Sequence, residues 1–171
     1  MKGYIHVYTG NGKGKTTAAF GLALRAAGAG MRIYIAQFVK GQQYSELNAL
    51  ARFNDLITIK QFGRKCFITN APDKKDIDIA KKGLKQVRAE IQSNIWDMVI
   101  LDEANIAIQF ALFTVNELLE IINIKPESME LIITGRNADQ RIIDRADLVT
   151  EMKEIKHYFN AGVMARTGIE S

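Results

Sequence analysis

The residues best suited to chemistry stand together near the start of the chain, in Gly10-Asn11-Gly12-Lys13-Gly14-Lys15-Thr16-Thr17. Three alternating glycines let backbone N–H groups close around anionic oxygens with no Cβ in the way. Lys13 and Lys15 bring positive charge, and Lys15 is spaced to reach terminal phosphates. The Thr16 hydroxyl can hold a divalent cation on a polyphosphate. Such a string becomes a phosphate-binding loop only between a strand and a helix. Both are present. Residues 4–9 carry apolar Ile5 and Val7 among β-prone Tyr and Thr, as a buried strand does. Residues 15–29 are dense in alanine and leucine, and the N–H groups at their start favour an anion. The common loop pattern has a glycine five places before the Gly-Lys pair. Here that place is Thr9, so the loop is one residue short.

Two further groups could serve the same site. Residues 98–101 are wholly apolar, as in the middle of a parallel sheet, and they end in Asp102 and Glu103. A carboxylate at the carboxyl end of such a strand is where Mg²⁺ is held, directly or through water. Beside a phosphate loop this reading outweighs helix capping. The metal set expected is therefore Thr16, Asp102 and Glu103. The apolar strand at 130–134 ends in Gly135-Arg136-Asn137, and Arg136 at that edge could meet phosphate or ribose.

The elements that must hold these residues follow in alternation. Strands are expected at 32–38, 56–62, 98–101, 130–134 and 148–155, after the first at 4–9. Helices are expected at 15–29, within 40–53, and at 73–95, 114–122 and 138–145. The helix at 73–95 is the clearest. Asp73 and Asp76 resemble a capping pair, and Ile77, Ala80, Leu84, Val87, Ile91 and Ile95 fall on one face. This order predicts a single α/β domain over residues 1–171, three layers deep, with a largely parallel sheet.

With 47% hydrophobic and 25% charged residues, the 171-residue chain is ordinary for a globular domain with a real core. No run approaches the ~18 apolar residues that span a bilayer. Met1-Lys2-Gly3 leads straight into the first strand, leaving no room for a signal peptide, and a single cysteine, Cys66, fits a reducing compartment. The expected location is the cytoplasm. One cysteine and two histidines, His6 and His157, make no zinc-like spacing. A net charge of +4 permits an acidic ligand without demanding nucleic acid. Residues 60–88 hold nine basic and three acidic residues, but no aromatic residues for stacking bases lie among the lysines of the 73–95 helix. A generic phosphate-loop ATPase or kinase, and a nucleic-acid-binding module, are the competing readings of these residues.

The chain resembles the ATP:corrinoid adenosyltransferases that act on cob(I)yrinic acid a,c-diamide or cob(I)alamin. The carriers are TGNGKGKTTAAFGLALRAAG at 9–28, AQFVKG at 36–41, MVILDE at 98–103, ELIITGRNA at 130–138 and ADLVTEMKEIKHYFNAGVMARTGIE at 146–170. The short GNGKGKTT loop is itself a feature of that family. The resemblance implies a RecA-like phosphate-loop fold. It also implies transfer of the 5′-deoxyadenosyl group from ATP to Co(I) of a corrinoid, with release of triphosphate. Substrates would be ATP, with Mg²⁺ or Mn²⁺, and a reduced corrinoid. An electron donor such as a flavoprotein and a homodimeric state are implied too; nucleic acid and membrane are not. Residues 10–17 and Arg136 would bind ATP, with Lys13, Lys15 and Arg136 stabilising the leaving triphosphate. Phe62 and Phe67 would face the corrin. Longer members carry an N-terminal extension near the corrinoid site, whereas almost nothing stands before the first expected strand in this sequence. No side-chain nucleophile is needed, because the attacking centre is cobalt.

Overall fold

The structure is a computed structural model, and it describes residues 2–42, 44–64 and 71–170. Six strands form one sheet: β1 (Ile5–Thr9), β2 (Ile33–Phe38), β3 (Ile57–Phe62), β4 (Met98–Asp102), β5 (Glu130–Thr134) and β6 (Leu148–Glu151). Their order across the sheet is β3-β2-β4-β5-β1-β6, and every pair is parallel. The expected α/β architecture is what the chain adopts.

All-parallel strands are covered on both faces, and two separate apolar clusters do this. On one face, α1 (Lys15–Gly28) lays Ala19, Phe20, Ala23, Ala26 and Ala27 on Ile33, Ile35, Ile100 and Ile132. Alanine at most contact positions lets the helix lie close. Leu50 of α2 (Ser45–Leu50) joins the same cluster. On the other face lie α3 (Lys74–Gln92), α4 (Ala104–Gln109), α5 (Val115–Asn123) and α6 (Gln140–Ile143). There Ala80, Leu84, Val87 and Ile91 meet Tyr34, Phe38, Val99 and Leu101 in the larger cluster. Burying a Leu or Ile side chain contributes roughly 1.5–3 kcal/mol, so the alternation along β2 and β4 feeds both cores at once.

Helix starts behave as their residues dictate. Asp73 and Asp76 exchange side-chain-to-backbone hydrogen bonds of 3.0 Å in each direction, and Arg64 reaches both carboxylates at 3.0 and 2.6 Å. Thr114 and Glu117 make the same reciprocal cap at the head of α5. α3 ends at Gln92, so Ile95 lies beyond it and half-exposed, off the expected apolar face. α6 is one turn long where eight residues were expected, and α4 was not expected at all. β6 is an edge strand of four exposed residues, shorter than the alternation over 148–155 implied. Two basic residues of α3 are paired with acids of α5, Lys81 with Glu117 at 3.6 Å and Arg88 with Glu120 at 2.7 Å. Among the described residues no helix is long and apolar enough to cross a membrane.

Candidate functional site

The carboxyl ends of β2, β4, β5 and β1 lie side by side along one edge of the sheet. Along that edge the backbone turns left-handed again and again: Gly10 after β1 (φ 91°), Val39 after β2 (63°), Glu103 after β4 (59°) and Asn137 after β5 (53°). A β-branched valine there is strained, and such strain collects where side chains must be aimed. Gly10 and Gly14 (φ 116°) bracket the loop between β1 and α1, and both conformations favour glycine.

Inside this loop Lys15 is buried, and its ammonium donates to the carbonyls of Gly10 and Gly12 at 2.7 Å each. The lysine therefore turns away the two oxygens that would repel phosphate and keeps one of its three protons uncommitted. Burial lowers its pKa, the Arg136 charge adds to that, and Glu103 and Asp102 oppose it. Thr9, in the place of the usual glycine, accepts a 3.2 Å hydrogen bond from the Ala138 N–H and so ties the loop to the one after β5.

Asp102 is the hub of the edge and is fully buried. Its Oδ1 accepts from the hydroxyls of Thr16 and Thr134 at 2.8 Å each. Its Oδ2 accepts from Gln37 Nε2 at 3.1 Å and Lys40 Nζ at 2.9 Å. Four donors fill the acceptor sites of one carboxylate. The consequence for Thr16 is definite: its proton points at Asp102, so its oxygen can only accept, and Lys40 Nζ donates to one of its two lone pairs at 3.2 Å. Burial would lower the Lys40 pKa, but the adjoining Asp102 carboxylate raises it on balance. The Glu103 carboxyl is raised, first by burial and then by Asp102, and among the described residues it accepts no side-chain hydrogen bond. Its backbone N–H donates to Thr134 Oγ1 at 2.9 Å, which closes the network.

Among the described residues no cluster of three His, Cys, Asp or Glu stands ready as a self-sufficient metal cage. Thr16 with one lone pair still free beside the Lys40 bond, an acceptor-saturated Asp102 behind it and an uncommitted Glu103 fit a divalent cation held partly by phosphate oxygens, as Mg²⁺ usually is.

The family described as ATP:corrinoid adenosyltransferase BtuR/CobO/CobP matches residues 1–171. The chain belongs to this family. It is similar to the corrinoid adenosyltransferase of Sinorhizobium sp., at 37% identity over 99% of this chain and 80% of the relative. The corrinoid adenosyltransferase of Escherichia coli K12 is 35% identical, and corrinoid adenosyltransferase CobA of Salmonella typhimurium LT2 is 36% identical. Each alignment covers 99% of this chain and 86% of the relative.

Not every residue expected at the site of this family member faces it. Lys13 turns outward, onto the C-terminal residues, while Asn11 and Thr17 are exposed on the loop and helix surface. Arg136 is exposed between Gly135 and Asn137, and its charge acts on both Lys15 and Glu103. Phe62 does not turn its ring toward the edge. It ends β3 on the α3 side, 7% exposed, packed against Phe38 and against Gly83, where an added Cβ would meet the ring at 2.4 Å. Phe67 and Cys66 lie outside the described residues. Gln37, Lys40 and Thr134 were missed from sequence. A polar residue near the end of an otherwise apolar, fully buried strand was the available signal for Gln37, and the strand-ending Thr134 is its counterpart on β5.

Proposed function

We propose that this chain lays the triphosphate of ATP along residues 10–15, with the ribose C5′ turned outward to meet Co(I) of a bound corrinoid. As a corrinoid adenosyltransferase it transfers the adenosyl group of ATP to a corrinoid in cobalamin biosynthesis. In the reaction a Co–C bond forms, the C5′–O bond breaks, and triphosphate leaves with the bonding electron pair. The observation that carries the site assignment is the grouping of buried Lys15 with the Thr16–Asp102–Lys40 network at the head of α1.

The protein's task is to hold C5′ in line and to stabilise charge on the leaving triphosphate. Lys15 supplies one cation from inside the loop and Arg136 a second from the loop after β5. Thr16 and Glu103 would hold Mg²⁺ or Mn²⁺, which when bound screens the phosphate charge. Asp102 orients Thr16 and neutralises Lys40. Cobalt must arrive as Co(I), so a one-electron reductant such as a flavoprotein completes the system. A homodimer is proposed as well, supported by the half-exposed Leu148 and Val149 on edge strand β6; sedimentation equilibrium tests it.

An absorbance scan tests the main reading. Protein, ATP, Mg²⁺ and chemically reduced corrinoid should yield the light-sensitive adenosylcorrinoid with stoichiometric triphosphate. Phosphate and ADP in its place would mark a hydrolase or kinase.

A further inference from the structure

The shortened loop does not hold its shape alone. The Gly12 N–H donates to the Met152 carbonyl at 2.6 Å, and the Met152 N–H donates to the Thr9 carbonyl at 2.9 Å. An added Cβ on Gly10 or Gly12 would meet that same Met152 oxygen at 2.5 or 2.7 Å. The chain leaving β6 thus lies directly on the back of the loop. Further along, all three protons of the Lys13 ammonium find acceptors in the C-terminal residues: the Tyr158 hydroxyl at 3.1 Å, the Ile169 carbonyl at 2.9 Å and Glu170 Oε1 at 2.8 Å. Glu170 also accepts from the Tyr158 hydroxyl, and its Oε2 accepts from the Arg166 N–H at 2.8 Å. The Arg166 guanidinium lies over the Tyr158 ring, 4.8 Å from its centre.

We infer that the segment from Met152 to Glu170 is a brace that completes the shortened phosphate loop, with Lys13 as its tie and Glu170 and Tyr158 as positioning residues for ATP. A lone exposed ion pair would do little. This contact differs because one ammonium meets three acceptors, and because it grips the middle of a loop whose glycines already rest on Met152. By holding Gly10 and Gly12 from behind, the brace keeps their carbonyls turned onto Lys15 and the inner face of the loop ready for phosphate. It does from outside what one more loop residue does from within. A preorganised loop spends less ordering entropy on its ligand, so the brace acts on affinity for ATP and not on the bond-breaking step.

The inference builds on the nucleotide assignment above, but its test does not need the corrinoid. ATP binding to the full chain is measured by titration calorimetry with Mg²⁺, for wild type, Glu170→Gln and Tyr158→Phe. Kinetics at saturating reduced corrinoid are run alongside. The brace predicts weaker ATP binding, by roughly three- to tenfold for each variant, with KM for ATP raised in step and kcat unchanged. In a Lys13→Met background, Glu170→Gln should have no further effect on ATP affinity, while Lys13→Arg should retain part of it. Melting curves confirm that each variant is folded. Tyr158→Phe keeps the ring under Arg166 and removes only the hydroxyl, so it serves if Glu170→Gln is unstable. Tighter ATP binding in Glu170→Gln would overturn the brace, since it would mean that Glu170 masks a phosphate-binding Lys13. Unchanged affinity in both variants would overturn it too. No ATP binding by the wild-type chain would defeat the nucleotide reading itself.

Discussion

A carboxylate that accepts four hydrogen bonds cannot easily be replaced, even by its own amide. Asp102→Asn puts an NH₂ group against donors, which strands at least one of Thr16, Thr134, Gln37 or Lys40 in a buried place. Breaking a buried charge pair by removing one partner costs about 3–5 kcal/mol, so this variant should melt well below wild type as well as lose nucleotide. Lys15→Ala is the opposite case. It removes a cation aimed at the ligand but leaves carbonyls that water can satisfy, so the fold should survive while transfer falls by ~10²-fold or more. A folded Lys15→Ala protein with the wild-type rate would remove Lys15 from the mechanism. Glu103 is strained in backbone and raised in pKa by burial and by Asp102. A carboxyl raised on folding adds stability that is fully present below its unfolded pKa and is lost as pH rises through the folded value. At neutral pH the charged form is thus a cost, and Glu103→Gln should melt above wild type while losing its response to Mg²⁺. In the metal-free enzyme, which the kcat/KM profile reports, the same shift sets the acid limb at higher pH than an ordinary glutamate would. The lowered Lys15 brings the alkaline limb to lower pH than an ordinary lysine would. A pH–rate profile with its acid limb in the ordinary glutamate range would contradict this.

Between elements, contact distance replaces charge as the deciding quantity. α3 approaches β3 so closely at Gly83 that a Cβ would sit 2.4 Å from Phe62 Cγ. Gly83→Ala is favourable for a bare helix, where alanine gains about 1 kcal/mol over glycine. Here overpacking, at about 1–3 kcal/mol, outweighs that gain, so urea unfolding should show net destabilisation. The ring cannot swing away cheaply, because Phe38 and the larger core surround it. What could be read in advance at this scale follows the strength of local signals. α3 announces itself through the Asp73–Asp76 cap and a long apolar stripe, and α1 through its alanines after the glycine loop. α4 is six residues long and starts at left-handed Glu103 with no side-chain cap, so neither periodicity nor capping marks it. Phe62 was expected to face the corrin only because the family resemblance places apolar side chains of this segment there. Only the register of β3 against β2, Phe62 opposite Phe38, assigns its ring to the α3 side.

Over the whole molecule, the strand alternation that feeds two apolar cores also leaves one edge where β1, β4 and β5 end in Thr9, Asp102 and Thr134, with Gln37 next to the end of β2. The loop, Asp102 and Glu103 were legible at this edge because they sit in motifs with a mechanism of their own. Lys40, Gln37 and Thr134 were not, because each acquires its role from a neighbour far away in the chain, Asp102. On the proposed site assignment nucleotide binding draws on four of the six strands, β1, β2, β4 and β5, and the chain beyond β6 backs the loop. Binding there should therefore stabilise the fold as a unit. At ATP concentrations near a hundred times Kd, mass action adds about 2.7 kcal/mol. For a domain of this size each kcal/mol raises Tm by about 2–4 °C, so Mg²⁺ and ATP together should lift Tm by about 5–10 °C in a single transition. Chelating the metal should remove most of that shift, because Thr16 and Glu103 then face the triphosphate with no cation between. A full shift that persists in excess chelator would place the charge compensation on Lys15, Lys40 and Arg136 alone and take the metal out of the site.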